Sequence, residues 1–239
     1  MPLRALLDII FPPLCHVCKA FIPAAGELFI CAGCLAKIPF LVSPLCTVCG
    51  TPFNTEGGVD HRCGACIIHR PLHISRAATL LAGPVQELIH RFKYGSRVHL
   101  CHPLGLLTTA HLAIFCRGAA PDLIIPVPLH KKRLRQRGYN QSQLLGDILG
   151  KRWGVPLEIG NLRRLRWTEP QTSLDARDRM TNVRGAFAVR HAKRLEGKRI
   201  LLVDDVLTTG STMRACADSL REAGVAAIFA VTIARGGQQ

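Results

Sequence analysis

Four Cys-x-x-Cys pairs crowd the front of this 239-residue chain, at Cys15/Cys18, Cys31/Cys34, Cys46/Cys49 and Cys63/Cys66. No other feature limits the possible folds as sharply. A two-residue gap lets one tight turn aim two thiolates at a single ion, and a second such turn completes a tetrahedral zinc site. Twelve residues separate the first pair from the second and thirteen separate the third from the fourth, so the segment reads as two copies of one unit. Each copy is expected to be a zinc ribbon holding one structural zinc ion. An interleaved pairing, first with third and second with fourth, fits the repeat less well. A disulfide framework is the competing reading. It requires an oxidising compartment, and the opening stretch, cut by Asp8, Pro12 and Pro13, lacks the apolar run and cleavage site of a secretory signal. The few apolar residues between the pairs cannot fold the segment unaided, so metal binding is expected to supply its folding energy. His16, His61 and His69 are expected at the surface, since eight thiolates satisfy two ions. Cys101, Cys116 and Cys216 stand alone among apolar or small residues and read as buried, inert thiols.

Charge divides the chain where cysteine does. The formal net charge is +15, yet residues 1–72 hold five basic and four acidic residues while the remainder carries 26 and 12. The boundary falls near Pro71, with a cysteine-rich double ribbon over 1–72 and a larger domain over 73–239. With eight thiolates on two divalent ions the front module becomes net negative, at about −3. The basic surplus therefore belongs to the larger domain. Nearly half the residues (48%) are hydrophobic, which excludes a disordered chain. No apolar run approaches the roughly 18 to 20 residues that cross a bilayer, so no membrane span is expected and the default is a soluble, cytoplasmic protein.

Beyond the boundary, short apolar runs alternate with amphipathic segments. That pattern argues for an α/β domain with a mainly parallel sheet. Val85, Leu88, Ile89 and Phe92 recur at helical spacing and Gly95 ends the run. Residues 122–127 read as a strand closed by Pro126 and Pro128. Asn140 is placed to cap a helix whose apolar face is Leu144, Leu145, Ile148 and Leu149, with Gly154 and Pro156 after it. Residues 199–206 contain a second buried strand, followed by a helix with Met213, Ala217 and Leu220 on one face, a stop at Gly224, and a last strand over 226–233.

The chemistry concentrates between the second strand and its helix, in Ile200-Leu-Leu-Val-Asp-Asp-Val-Leu-Thr-Thr-Gly-Ser-Thr212. A hydrophobic strand carries two adjacent carboxylates, Asp204 and Asp205, to the carboxyl edge of the sheet, where open parallel sheets bind ligands. The vicinal hydroxyls of a ribose suit such a pair. Thr208, Thr209, Gly210, Ser211 and Thr212 then form a turn that opens a helix, so N–H groups and hydroxyls converge on an anion. A Walker loop is excluded, because the spacing and lysine of that motif are missing. The arrangement resembles the phosphoribosyl pyrophosphate (PRPP) signature of type I phosphoribosyltransferases. The resemblance implies that Asp204 and Asp205 are the catalytic acids holding the ribose 2′ and 3′ hydroxyls, that residues 208–212 bind the 5′-phosphate, and that magnesium accompanies PRPP.

A second segment, Ile125-Pro-Val-Pro-Leu-His-Lys-Lys-Arg-Leu-Arg-Gln-Arg-Gly-Tyr-Asn-Gln141, resembles the signature of the competence-linked ComF family and its GntX relatives. Those proteins join an N-terminal zinc module to a phosphoribosyltransferase-like domain, a type I parallel sheet with helices on both faces. The likeness runs on through Phe92-Lys93-Tyr94 and through residues 163–187, including Thr168, Gln171, Leu174, Arg177, Asn182 and Val183, and covers nearly the whole chain. The turn at 129–132 is then a candidate pyrophosphate loop, with Lys131 a PRPP contact. The polar stretch 163–184 resembles a loop that closes over substrate, with Arg163, Arg177 and Arg179 available to neutralise charge and Arg177 assigned to PRPP. Lys131, Lys132, Arg133, Arg135 and Arg137 put five cations in seven residues, which also suits a phosphate backbone. Two functions remain in view. One is a magnesium-dependent PRPP-binding protein, with phosphoribosyl transfer to an unknown acceptor. The other is a single-stranded DNA-binding protein of DNA uptake or utilisation that uses PRPP as a regulatory ligand. The family implies a DNA helicase or translocase partner.

Overall fold

The computed structural model describes residues 12–23, 26–55, 57–69, 71, 73–167 and 185–237. Two cysteine-rich knuckle pairs come first, each followed by a short helix after its third cysteine: α1 (Ala32–Leu35) and α2 (Gly64–His69). The larger region then runs β1 (Ile74–Leu80), α3 (Gly83–Tyr94), α4 (Cys101–His111), α5 (Ala113–Ala119), β2 (Leu123–Pro126), α6 (Lys131–Arg137), α7 (Gln141–Trp153), β3 (Leu162–Arg164), β4 (Phe187–Val189), β5 (Arg199–Leu207), α8 (Ser211–Glu222) and β6 (Ala227–Arg235). Four strands form one sheet in the order β1-β6-β5-β2, and every pairing in it is parallel. Among the described residues no single helix is long and apolar enough to cross a membrane.

Alternation along the central strands builds a core on each face of the sheet. Leu201 and Val203 of β5 and Val231 and Ile233 of β6 pack with Leu88 and Phe92 of α3, Leu104 of α4 and Leu145 and Leu149 of α7. Their neighbours in sequence, Ile200 and Leu202 with Ile228 and Ala230, face Met213, Cys216, Ala217 and Leu220 of α8 instead. Period-two strands buried on both faces are what a parallel sheet with helices on either side demands. Each fully buried Leu or Ile contributes about 1.5 to 3 kcal/mol.

The sequence-expected elements are present, the last strand running two residues further than expected, to Arg235. Val85, Leu88, Ile89 and Phe92 are the buried residues of α3, which closes at Gly95. Asn140 caps α7, its side-chain oxygen accepting from the Ser142 N–H at 3.1 Å. Gly154, at φ +69°, adopts the left-handed conformation that ends the same helix.

Four expectations change. The turn expected at 129–132 gives way to a helix from Lys131: residues 127–130 are irregular, His130 Nδ1 accepts from the Lys132 N–H at 3.2 Å, and Gly138 terminates the helix at φ +81°. Arg163 lies in β3, paired antiparallel with β4, rather than in a loop. His16 is half-buried between the rings of Phe29 and His99 rather than at the surface, and burial lowers its pKa. Cys116 and Cys216 are buried as expected, whereas Cys101 is only half-buried. Thr168, Gln171, Leu174, Arg177, Arg179, Asn182 and Val183 lie outside the described residues.

The cysteine-rich module is built onto the sheet. Residues 39–41 pair along β1, with Leu41 N–H donating to Ala78 O at 3.0 Å and Leu80 N–H to Pro39 O at 2.9 Å. They cover the outer edge of an edge strand. Cys15, Ile30, Cys34 and Ile38 join the core that contains Leu88 and Phe92. At the second knuckle, Ser75 N–H donates to Val48 O at 2.8 Å. A Cβ on Gly50, itself at φ +68°, would stand 2.8 Å from Ser75 O, so only glycine allows this approach.

Candidate phosphate site and metal centres

Each cysteine tetrad has the dimensions of a metal centre. Cys15, Cys18, Cys31 and Cys34 bring their sulfurs within 4.8 Å of one another, as do Cys46, Cys49, Cys63 and Cys66. The Cys18–Cys31 and Cys49–Cys63 Sγ separations are 3.7 Å. Tetrahedral zinc, with sulfur at about 2.3 Å, separates its ligand atoms by about 3.8 Å. The pairing is therefore consecutive, as the repeat indicated, and all eleven cysteines are free thiols. Burial works against the Cys15 thiolate, but the N–H groups of Cys31, Cys18 and Val17 outweigh it and hold the pKa down at about 6. Cys46 is likewise brought to about 6 by the N–H groups of Cys63, Cys49 and Val48 against its burial. Burial instead pushes Cys34 up to about 12 and raises Cys66 strongly. Each tetrad thus mixes a ready thiolate with one that ionises only when a metal ion offsets its charge.

The acid pair sits in the second half of β5, where Asp204 pairs with Thr232 of β6. Asp204 Oδ1 accepts from the Ser142 hydroxyl at 2.8 Å and from the Asp205 N–H at 2.9 Å. Asp205, almost fully buried, forms an ion pair with Lys93 Nζ at 2.8 Å. Burial, reinforced by the neighbouring Asp205 charge, pushes the Asp204 pKa up to about 6, against the pull of Lys93 and the Ser142 hydroxyl. Two side by side carboxylates in low dielectric resist holding two charges. Lys93 and Ser142 are the positioning groups that site reasoning from the β5 motif alone omitted. The signal was a lysine between Phe92 and Tyr94 at the end of an apolar helical face.

Thr208 to Gly210 follow as a turn, and Ser211 and Thr212, expected in it, already open α8. Gly210 is left-handed at φ +74° and precedes α8, and it brings no capping side chain of its own. The Ser211 N–H leans on Thr209 Oγ1 at 3.4 Å, and the Thr209 and Ser211 hydroxyls lie 3.0 Å apart. The first-turn N–H groups of a helix have no intrahelical partner, and no acidic residue stands in this first turn. Asp204 and residues 208–212 line one small cleft of about 40 Å³. The two halves of the motif therefore meet, as sequence reasoning required.

The basic helix α6 divides by face. Arg133 and Arg137, one turn apart, line a cleft of about 230 Å³ together with Lys93, Tyr94 and Tyr139. Arg137 stacks on Tyr94, its guanidinium carbon 5.4 Å from the ring centroid. The Tyr139 hydroxyl donates to Phe92 O, which ties the end of α6 to α3. Lys131 and Arg135 point to solvent and do not line this cleft, and Lys132 covers the Trp167 ring at 5.0 Å. Arg163 is exposed and donates to Gly160 O at 3.1 Å.

Known proteins resemble both halves. Residues 6–67 match the double zinc ribbon domain, and residues 154–239 match the phosphoribosyl transferase domain. Over 218 residues the chain is 33% identical to Competence protein F of Haemophilus influenzae, covering 86% of this chain and 90% of that protein. It is also 33% identical over 222 residues to DNA utilization protein YhgH of Escherichia coli, covering 91% and 94%. Competence protein ComFC of Bacillus subtilis is 26% identical over 208 residues, covering 83% and 80%. Agreement of this extent, on top of the geometry above, makes the chain a member of the ComF/GntX family, in which a double zinc ribbon precedes a phosphoribosyltransferase-like domain.

Proposed function

We propose that this chain binds PRPP with magnesium at the β5–α8 site and serves DNA uptake or utilisation in the cytoplasm. What carries the reading is the juxtaposition of an acid pair, Asp205 buried and Asp204 open to the cleft, with an acid-free helix start across the 208–212 segment. Asp204 and Asp205 accept hydrogen bonds from the ribose 2′ and 3′ hydroxyls, and the turn's N–H groups and hydroxyls hold the 5′-phosphate. Lys93, Arg133 and Arg137 lie on the side from which a diphosphate is neutralised. Magnesium, arriving on the diphosphate, supplies charge stabilisation of the departing group. Residues 1–72 and 73–239 are the two units of this arrangement, with one zinc ion in each ribbon. Lys131 and Arg177 complete the PRPP site when substrate is closed in. Calorimetry of the zinc-loaded protein with PRPP and magnesium tests the site: binding is expected in the wild type and lost in the Asp204→Ala, Asp205→Ala double variant. Binding that survives the double variant refutes the assignment. Pyrophosphate release with candidate acceptors then separates a transferase from a PRPP-sensing protein.

The exposed cations of α6 favour a second reading, in which the same protein binds single-stranded DNA. Lys131, Lys132 and Arg135 are exposed, with Lys132 over the Trp167 ring, and the relatives' names concern competence and DNA utilisation. PRPP would then be a regulatory ligand, and a DNA helicase or translocase the protein partner.

A further inference from the structure

Arg235 is the last residue of β6 and is buried to 6% exposure, yet no carboxylate pairs with it among the described residues. Its Nη1 donates instead to Cys49 O at 2.8 Å, a carbonyl that also accepts from the Ser75 hydroxyl at 3.2 Å. Cys49 belongs to the second metal tetrad. A cavity of about 130 Å³ has Cys49, Cys63 and Cys66 on its walls together with Arg214, Arg235 and Thr208, so the tetrad and the start of the phosphate turn share one small space. The backbone makes the other half of the connection. Arg235 pairs with Leu207 of β5, and the Gly236 N–H donates to Leu207 O at 2.9 Å. A Cβ on Gly236 would stand 3.4 Å from Thr208 Cγ2, so the chain after Arg235 packs directly against the first residue of the turn.

A buried guanidinium without a counter-charge is strongly destabilising. Four thiolates on one divalent zinc ion keep a net charge of about −2, and no Asp or Glu stands among the described residues that line the cavity with the two arginines. We propose that Arg235 is a positioning residue that couples the second ribbon to the phosphate turn: the metal-loaded tetrad holds its guanidinium, and its backbone braces Leu207 and Thr208 where the turn starts. The inference rests on the reading of 208–212 as a phosphate site and adds that zinc retention by the second ribbon and occupancy of the turn are linked. Such a link is reciprocal, so a ligand at the turn tightens the hold on zinc by the same factor by which zinc tightens the hold on the ligand. The first tetrad stands apart. None of its cysteines lines the cavity, and the guanidinium that reaches its knuckle, Arg91, donates to His16 O from α3. Because the β5–β6 ladder persists without Arg235, the link tunes the turn rather than building it.

The test compares the zinc-loaded full chain with Arg235→Gln and Arg235→Lys. Without any ligand, amide hydrogen exchange at Gly236 and over residues 206–212 is expected to be several-fold faster in Arg235→Gln, with zinc still at two ions per chain, and close to wild type in Arg235→Lys, which keeps the charge. Zinc affinity is then read by competition with a chromogenic chelator. Saturating ribose 5-phosphate is expected to raise the affinity of one of the two tetrads about fivefold, the low end of such couplings, to leave the other unchanged, and to have no effect in Arg235→Gln. If Arg235→Gln fails to fold, the competition on the wild-type chain still decides. Exchange that is unaltered in Arg235→Gln overturns the coupling, as does ribose 5-phosphate that binds without changing zinc affinity or that changes both tetrads equally. Ribose 5-phosphate that does not bind the wild type, by calorimetry, refutes the phosphate reading of the turn instead, and the exchange comparison then judges the Arg235 tie by itself.

Discussion

Replacing Asp204 by Asn should make the protein more stable while removing its ligand. The amide oxygen keeps both hydrogen bonds that Oδ1 accepts, from Ser142 and from the Asp205 N–H, and the shape is unchanged. Only the ionisable charge is lost. A carboxylate held at about 6 instead of its ordinary 3.8 costs about 3 kcal/mol once ionised. Because its folded pKa is raised, the contribution to stability is complete below about pH 4 and is lost as pH rises through 6. Asp204→Asn is therefore expected to gain about 1 to 3 kcal/mol at pH 8, the smaller figure allowing for the solvent exposure the side chain keeps. The gain should shrink steadily between pH 6 and pH 5, where native Asp204 takes up its own proton. Urea unfolding of both proteins at pH 5, 6.5 and 8 measures the difference, and comparing variant with wild type at each pH cancels the protonation of zinc ligands. A variant that is no more stable at pH 8, or whose gain is the same at every pH, would refute the account of the acid pair. Calorimetry on the same samples should show PRPP binding lost.

Other outcomes follow from separate parts of the molecule. Metal analysis is expected to find two zinc ions per chain, and strong chelation should lower the temperature of the thermal transition; a chain that unfolds at the same temperature without metal would contradict the two tetrads. Gly150→Ala places a Cβ 2.8 Å from Val155 O, a backbone atom that cannot step aside, so a loss of about 1 to 3 kcal/mol is expected in thermal unfolding. For DNA, changing Lys131, Lys132 and Arg135 to Ala should flatten the logarithmic salt dependence of single-strand affinity by about 2, at roughly 0.7 for each phosphate no longer neutralised. An unaltered slope would remove α6 from the interface.

Much of the site was legible because its chemistry is local. Asp204 to Thr212 are consecutive, so strand, acid pair, turn and helix start are fixed by one stretch of sequence. The cysteine pairs were equally readable, since the repeat spacing itself implied the consecutive tetrads. What stayed hidden depends on distance along the chain. Lys93 meets Asp205 only because α3 packs on the sheet, and Ser142 reaches Asp204 from the first turn of α7. β1 carries too few large apolar residues to announce itself, and its burial comes from the ribbon laid along it. α4 is apolar around most of its girth and therefore shows no single periodic face. The helix over 131–137 was hidden because charge masks apolar periodicity, and its division into cleft-facing Arg133 and Arg137 and outward Lys131 and Arg135 exists only once the helix forms.

The ribbon segment along β1 bears on how the protein would fail. β1 is the outermost strand, and the groups of Ala78 and Leu80 that meet residues 39–41 would otherwise be bare donors and acceptors ready to template another chain. Those covering residues hang between the two metal tetrads, so loss of zinc releases them together. A starved or oxidised molecule would then self-associate through its sheet before it lost its ligand cleft. In that sense the metal ions act as guardians against aggregation, and solubility should report zinc status sooner than binding does.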